Sequence, residues 1–180
     1  MALARDAATR ADLEARARAY DEWYAGTGQF ASPVRPGWND EVAALVALVA
    51  TLPEARTLDV PCATGFLTRH LHGLAVGLDR SPAMVELAQS RLRHGVAVLG
   101  DALALPFAAR AFDRVLTAQF FGDLAADERR AFLAEARRVA PELLVVDAAR
   151  RPADLVAELG GGEVLLDGAW FVAVRSTAPE

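Results

Sequence analysis

From Thr57 onward, short apolar runs alternate with longer stretches in which apolar residues recur every three or four positions. This pattern predicts strands alternating with helices, and hence a mostly parallel, doubly wound sheet with helices on both faces. Strand one is expected over 57–60, a helix over 64–71 and strand two over 75–78. Ser81 as N-cap and Pro82 at the first helical position then open a second helix, with Met84, Val85, Ala88 and Leu92 facing inward. Strand three falls over 96–99 and strand four over 112–117, separated by an irregular segment at 101–111. A helix over 127–139 carries Phe132, Leu133, Ala136 and Val139 on its inner face and stops at Pro141. Strand five is expected over 143–146, followed by a short helix over 153–159 and the break Gly160-Gly161-Gly162. The runs 164–166 and 171–174 flank Asp167-Gly168, a strong signal for a terminal antiparallel hairpin.

Upstream, Leu13, Ala17, Tyr20 and Tyr24 recur at helical spacing, and a loop from Gly26 to Gly37 follows. A next helix starts with Asn39 as N-cap, buries Val42, Leu45, Val46 and Val49, and closes at Pro53. With no internal repeat or linker composition, a single domain over 1–180 is expected. Its N-terminal helices and cover loop occupy 1–52 and its Rossmann-like core 53–180.

Composition narrows the partners. A net charge of −5 and a pI near 5.3 speak against nucleic acid. The pairs Arg129-Arg130 and Arg137-Arg138 lie among Asp127, Glu128 and Glu135, which reads as a solvated helix face with local ion pairs. No run of eighteen uncharged apolar residues occurs, and residues 1–18 lack the apolar stretch of a secretory signal. No membrane association and a cytoplasmic location are therefore expected, and the single cysteine, Cys62, fits a reducing compartment.

Open parallel sheets collect ligands outside the carboxyl ends of their strands. Asp59, Asp79, Asp101 and Asp147 all fall at or just after predicted strand ends, so the acids line one rim. Asp79, at the end of strand two, is placed to accept ribose hydroxyls, while its alternative is to cap the following helix. The turn after strand one binds pyrophosphate when it is glycine-rich. Here Pro61 lacks an N–H, Ala63 adds a methyl group and Phe66 occupies the third glycine position of G-x-G-x-x-G. A nucleoside ligand with an amino-acid tail in place of pyrophosphate tolerates those changes better.

At this point the sequence resembles the class I S-adenosylmethionine-dependent methyltransferases. Leu58 to Gly65 is similar to their LDxGxGxG motif and Gly77 to Met84 to their second motif, and Gly100-Asp101-Ala102-Leu103-Ala104-Leu105-Pro106-Phe107 with Phe112-Asp113-Arg114-Val115 to their GDAxxLPF…FDxV signature. The resemblance runs from about Tyr20 to Ser176. It implies a Rossmann-like, seven-stranded α/β sheet with the last strand antiparallel, and S-adenosylmethionine as cofactor. Asp59 and the turn Pro61, Cys62, Ala63, Thr64 and Gly65 would face its methionine end, and Asp79 its ribose. Arg80 and Met84 would flank the adenine beside Ala102 and Leu103, with Asp101 accepting from its amino group. Ala118 and Gln119 would close over the sulfonium. Trp38 and Tyr20 or Tyr24 would cover the cofactor, or else simply pack the first helices.

Methyl transfer needs alignment and water exclusion more than a nucleophile or metal. The loop after strand four holds Gln119 and Asp123 where related enzymes often place His; Asp123 is the candidate general base, or alternatively a helix N-terminal residue. His70, His72 and His94 lack further ligands and read as surface histidines, so no metal is expected. Arg150-Arg151-Pro152 leads almost directly from strand five into the short helix, where comparable enzymes often insert a substrate-covering segment, so a missing or minimal lid is expected. Methyl transfer to a small-molecule acceptor is the leading expectation, and a homodimer is also admitted. The alternatives are a catalytically silent S-adenosylmethionine-binding sensor and, more distantly, an NAD(P)-dependent oxidoreductase.

Overall fold

The computed structural model describes residues 19–27, 35–148 and 150–177. Leu13, Ala17 and most of the predicted 26–37 loop lie outside the described residues. Helical residues 19–25 (α1) precede α2 (Trp38–Thr51). There follow β1 (Thr57–Asp59), β2 (Ala75–Asp79), α3 (Pro82–Arg91), β3 (Gly95–Leu99), β4 (Arg114–Ala118) and α4 (Ala126–Val139). β5 (Glu142–Ala148), α5 (Pro152–Glu158), β6 (Glu163–Asp167) and β7 (Phe171–Thr177) complete the chain. The seven strands form one sheet in the order β3-β2-β1-β4-β5-β7-β6. β1 to β5 pair in parallel, and β7 pairs antiparallel with both β5 and β6. The predicted α/β fold with its C-terminal antiparallel hairpin is therefore observed.

Both faces of the central strands are buried, while the edge strands β3 and β6 are more exposed, and the strands divide their residues between the faces with a period of two. Val115, Leu143, Val145, Val172 and Val174 join one core with Phe132, Ala136 and Val139 of α4 and Leu155 of α5. Their neighbours Leu116, Leu144, Val146, Phe171 and Ala173 join a second core with Leu45 and Val49 of α2 and Tyr24 of α1. Among the described residues, no helix is long and apolar enough to cross a membrane.

Three local expectations are corrected. The helix predicted over 64–71 is instead a series of turns closed by one 3-10 turn, Thr68–His70. Gly65 has φ 74°, and the Thr68 hydroxyl is committed to the Asp59 carboxylate, so tertiary bonding displaces a short segment of indifferent helix propensity. Asn39 is not the cap of α2: Gly37, at φ 75°, holds that position, and the helix begins at Trp38, whose indole N–H donates 2.8 Å to the Tyr24 carbonyl. The α4 arginines are more than a solvated face. Arg137 donates to the Leu159 carbonyl, and Arg138 donates to the carbonyls of Phe107 and Leu105 while pairing with Glu135. Arg129 pairs with Glu158 on α5.

Glu41 ties α2 to the far end of the chain. Its carboxylate accepts from the backbone N–H groups of Ala169, Trp170 and Phe171 at 2.7, 2.9 and 3.1 Å, collecting the donors of the β6–β7 loop. Charge-assisted hydrogen bonds of this kind contribute about 1.5–3 kcal/mol. Glu41→Ala is expected to lower the thermal midpoint by roughly 3–10 °C, as read by calorimetry, with Glu41→Gln recovering part of the loss.

Candidate functional site

The order of strands reverses between β1 and β4, which places the crevice for ligands at the carboxyl ends of β1, β2 and β4. Charges at the two ends of the sheet are treated differently. At the amino ends, Arg114 pairs with Glu142, and Arg56 holds Asp113 in a fork with Nη2–Oδ1 at 2.7 Å and Nε–Oδ2 at 3.1 Å. At the carboxyl ends of β1 and β2, Asp59 and Asp79 are buried at 2% and 5% exposure; their hydrogen bonds come from the Thr68 hydroxyl and from backbone N–H groups, with the Arg80 charge acting on Asp79 from nearby.

Asp79 receives 3.0 Å and 2.9 Å hydrogen bonds from the backbone N–H groups of Ala63 and Ser81, one on each oxygen. The sequence alternatives, ribose binding or helix capping, are thus not exclusive. Ser81 Oγ performs the cap, accepting from Met84 N, while each carboxylate oxygen of Asp79 retains capacity for another donor. Asp59 takes the Thr68 hydroxyl as its hydrogen-bond partner. Burial, with the neighbouring Asp79 charge adding to it, lifts the Asp59 carboxyl from 3.8 to about 7 against the opposing Thr68 bond. Burial likewise raises Asp79.

The connecting turn packs tightly. A Cβ at Gly65 would lie 3.1 Å from Ala88 Cα, so the missing side chain lets the turn close against α3 as well as adopt its positive φ. Ala63 occupies the left-handed region at φ 47°. Thr64 is spent on structure: its hydroxyl donates to Asp21 at 2.6 Å, and its carbonyl accepts from Arg91, which also pairs with Asp21 at 2.6 Å. This Asp21–Thr64–Arg91 clamp seats α1 on the turn. Neither Asp21 nor Arg91 stood out in the sequence, because the clamp joins side chains 70 positions apart. Cys62 is buried beside the turn, and burial raises its thiol, so it is not a reactive group.

The aromatic residues separate into two roles. Tyr20 packs against Ala63 and Met84, and its hydroxyl feels the charges of Asp59 and Asp79; burial raises that hydroxyl further. Tyr24 stacks on Phe66 at 4.1 Å between centroids, and Trp38, 5% exposed, packs against Trp23, Trp170 and Phe171. Trp38 and Tyr24 are therefore core residues that brace Tyr20 from behind.

Around the rim, Met84 and Ala102 are buried, while Arg80 and Asp101 are exposed. Asp101 Oδ1 accepts from Leu103 N at 2.9 Å, which shapes the turn after β3. Ala118 ends β4. Gln119 follows at φ 54°, with its Nε2 buried and without a hydrogen-bond partner. Gln119 and Asp123 line a cleft of about 240 Å³ together with Gly122, Arg129, Asp147, Ala148 and Arg150. Among the described residues no group of His, Cys, Asp and Glu is arranged to hold a metal.

A methyltransferase-domain family model matches residues 58–142, from β1 to the first residue of β5. The demethylmenaquinone methyltransferase of Thermotoga maritima is 38% identical over 107 residues, covering 57% of this chain and 44% of that enzyme. The chain thus spans less than half the length of the curated relatives it matches. Among solved structures, a DhpI–SAH complex superposes with a TM-score of 0.72 at 23% identity, covering 95% of this chain and 96% of that one. A TehB-like SAM-dependent methyltransferase from Corynebacterium glutamicum gives 0.67 at 18% identity, covering 95% and 100%. The structural likeness establishes the fold, and the matched segment contains both acids of the crevice and the turn between them. Over residues 58–142, just under half of its length, the chain is thus similar to methyltransferase domains, and its fold is that of S-adenosylmethionine-dependent methyltransferases of known structure.

Proposed function

We propose that this protein binds S-adenosylmethionine and directs methyl transfer to a small-molecule acceptor. The observation that carries the proposal is the Asp59–Asp79 pair: two buried carboxyls on adjacent strands, bonded to a hydroxyl and to backbone N–H groups, with burial outweighing the nearby Arg80 charge at Asp79. Buried carboxylates of one sign are costly without a cation. A ligand carrying an ammonium and a sulfonium offsets that cost, whereas the pyrophosphate of a dinucleotide adds to it. The crevice residues therefore fit S-adenosylmethionine and disfavour NAD(P).

When bound, S-adenosylmethionine supplies a methyl group activated by a positively charged sulfur. Asp59 and the turn Pro61–Gly65 would hold the amino-acid end, with Thr68 orienting the Asp59 carboxylate. Asp79 would accept ribose hydroxyls with the lone pairs that Ala63 and Ser81 leave open. Met84, Ala102 and Leu103 would provide apolar surface for the adenine, with Arg80 and Asp101 at its exposed edge. Tyr20 would exclude water above the two acids, and Ala118 and Gln119 would separate the sulfonium end from the cleft. There Asp123 would accept a proton from the acceptor. The demethylmenaquinone methyltransferase relatives are consistent with a small-molecule acceptor.

Titration calorimetry with S-adenosylhomocysteine is expected to show one site per chain, and absence of both heat and thermal shift would overturn the proposal. Asp79→Asn, which keeps one carbonyl oxygen, should weaken binding by roughly tenfold or more. Because the ligand ammonium favours ionised Asp59, affinity should rise from pH 6 to 8, through the raised Asp59 value of about 7, with proton release visible as a buffer-dependent enthalpy.

The ligand-free protein should show the opposite trend in stability. Between 3.8 and about 7 the folded chain keeps a proton on Asp59 that the unfolded chain has lost. This group's contribution is therefore greatest below the unfolded value and declines as pH rises through about 7. Asp79 and Asp147 are raised by burial and act in the same sense. Thermal midpoints of the ligand-free protein should fall from pH 5 to 8, and Asp59→Asn should flatten that slope.

A further inference from the structure

The turn after β4 begins at Gln119, and its shape is not set by its own residues. Gln119 stands in the left-handed region at φ 54°, a conformation that a residue with a side chain keeps only where its surroundings impose it. Its backbone N–H donates 2.8 Å to the Val146 carbonyl of β5, while its side-chain Nε2 is buried without a hydrogen-bond partner. The chain then passes through Phe121, fully buried against Phe132 of α4, and reaches Leu124 just before that helix.

Two arginines bracket this turn. Arg129 donates 2.6 Å to the Leu124 carbonyl, and the Arg150 guanidinium lies 5.8 Å from the Phe121 ring centroid. Glu158, the last residue of α5, joins them: Oε1 is 2.5 Å from Arg129 Nε and Oε2 is 2.5 Å from Arg150 Nη2. The two halves of this junction differ. Arg150 makes a directed hydrogen bond, whereas the Arg129 Nε–H is buried without one, so that half is held by charge rather than by alignment. Asp147 is the second acid on Arg150, at a longer 3.4 Å, and Gly122 of the turn lies against it so closely that a Cβ would come within 2.7 Å of Oδ2. Asp147 and Glu158 balance Arg129 and Arg150, so these four groups call for no charged ligand. They tie β5 and α5 to the turn.

We infer that Glu158 is a positioning residue of the methyl-transfer site: by fixing Arg129 and Arg150 it sets the turn that presents Gln119 to the sulfonium end of the cofactor. The inference rests on the methyltransferase reading above and adds to it a residue that does not itself line the cleft. Removing this carboxylate leaves two partly buried guanidiniums without their shared counter-charge, and Arg150 then keeps only the longer contact to Asp147. Their mutual repulsion pulls on the Leu124 carbonyl and on the Phe121 ring, and the turn moves with them.

S-adenosylmethionine labelled with carbon-13 at its methyl group reports on this end of the site, because the NMR shift of the bound methyl follows the groups packed around it. With the protein saturated, Gln119→Ala should displace the methyl resonance. Glu158→Ala should displace it by about half as much or more, while calorimetric affinity changes by less than about threefold because the crevice acids are untouched. Glu158→Gln keeps an oxygen for Arg150 but no charge for Arg129; its effect should be smaller, and it carries the test if the alanine variant does not fold. Adding Glu158→Ala to Gln119→Ala should produce no further displacement, as expected of a residue that acts through another. Arg56→Ala breaks an exposed ion pair at the opposite end of the sheet and should leave the resonance in place, which separates positioning from a general loss of stability. A resonance that neither Glu158 variant moves, displacements that add in the double variant, or indifference to Gln119→Ala would overturn the inference. Failure of the unmodified protein to bind the labelled cofactor would instead remove the cofactor reading beneath it, and the inference with it.

Discussion

Asp79 gives one carboxylate oxygen to the N–H of Ala63 and the other to the N–H of Ser81, and through these two bonds the end of β2 holds both the turn after β1 and the start of α3. The turn needs that external hold. Ala63 is in the left-handed region, where a side chain costs about 1–2 kcal/mol, and Pro61 brings no N–H to stabilise its own backbone. A glycine-rich turn reaches such a conformation through its own freedom. Here the conformation is imposed by Asp79 from one side and by the Asp21–Thr64–Arg91 clamp from the other. The same carboxylate that shapes the crevice is therefore also the group proposed to meet a ribose.

The two ends of the sheet show what this arrangement costs and why it persists. At the amino ends every acid described above has its arginine, and the Arg56 contact lowers Asp113 to about 2. At the carboxyl ends of β1 and β2, burial raises both Asp59 and Asp79, outweighing the Thr68 bond at the first and the backbone bonds and the Arg80 charge at the second. Both kinds of acid belong to the same sheet, so the difference is not one of fold. Two buried carboxyls whose values burial raises are more characteristic of ligand sites than of structural ion pairs.

Much of this was legible in the residues. Alternating apolar runs located all seven strands, because both faces of the sheet are covered and each strand reads as a nearly continuous apolar stretch. Ser81-Pro82 marked the start of α3, and Asp167-Gly168 marked the hairpin. The acids of the rim followed from strand ends alone. What stayed hidden depends on side chains meeting over long separations. Thr68 was read as part of a helix, since its bond to Asp59 competes with local propensity in a way no window of sequence reveals. Asp21, Arg91 and Glu41 were ordinary surface charges in the sequence, and only the fold brings them to the turn and to the hairpin loop. Asp147 was visible as a rim acid, but its weak pairing was not, because Arg150 is claimed by Glu158 eight residues away.

These long-range contacts also connect the C-terminal hairpin to the cofactor crevice. Glu41 gathers the N–H groups of the β6–β7 loop and so fixes Trp170 and Phe171 against Trp38. The Trp38 indole holds the Tyr24 carbonyl, Tyr24 stacks on Phe66 of the turn, and the Tyr24 and Tyr20 hydroxyls are hydrogen-bonded to each other over Asp59 and Asp79. Each link is a directional bond or a ring contact, so a displacement of the hairpin cannot be absorbed by sliding of generic apolar surface. Through α2 the antiparallel hairpin thus fixes the position of α1, so the strands farthest from the crevice in the sheet help to hold Tyr20 over Asp59 and Asp79.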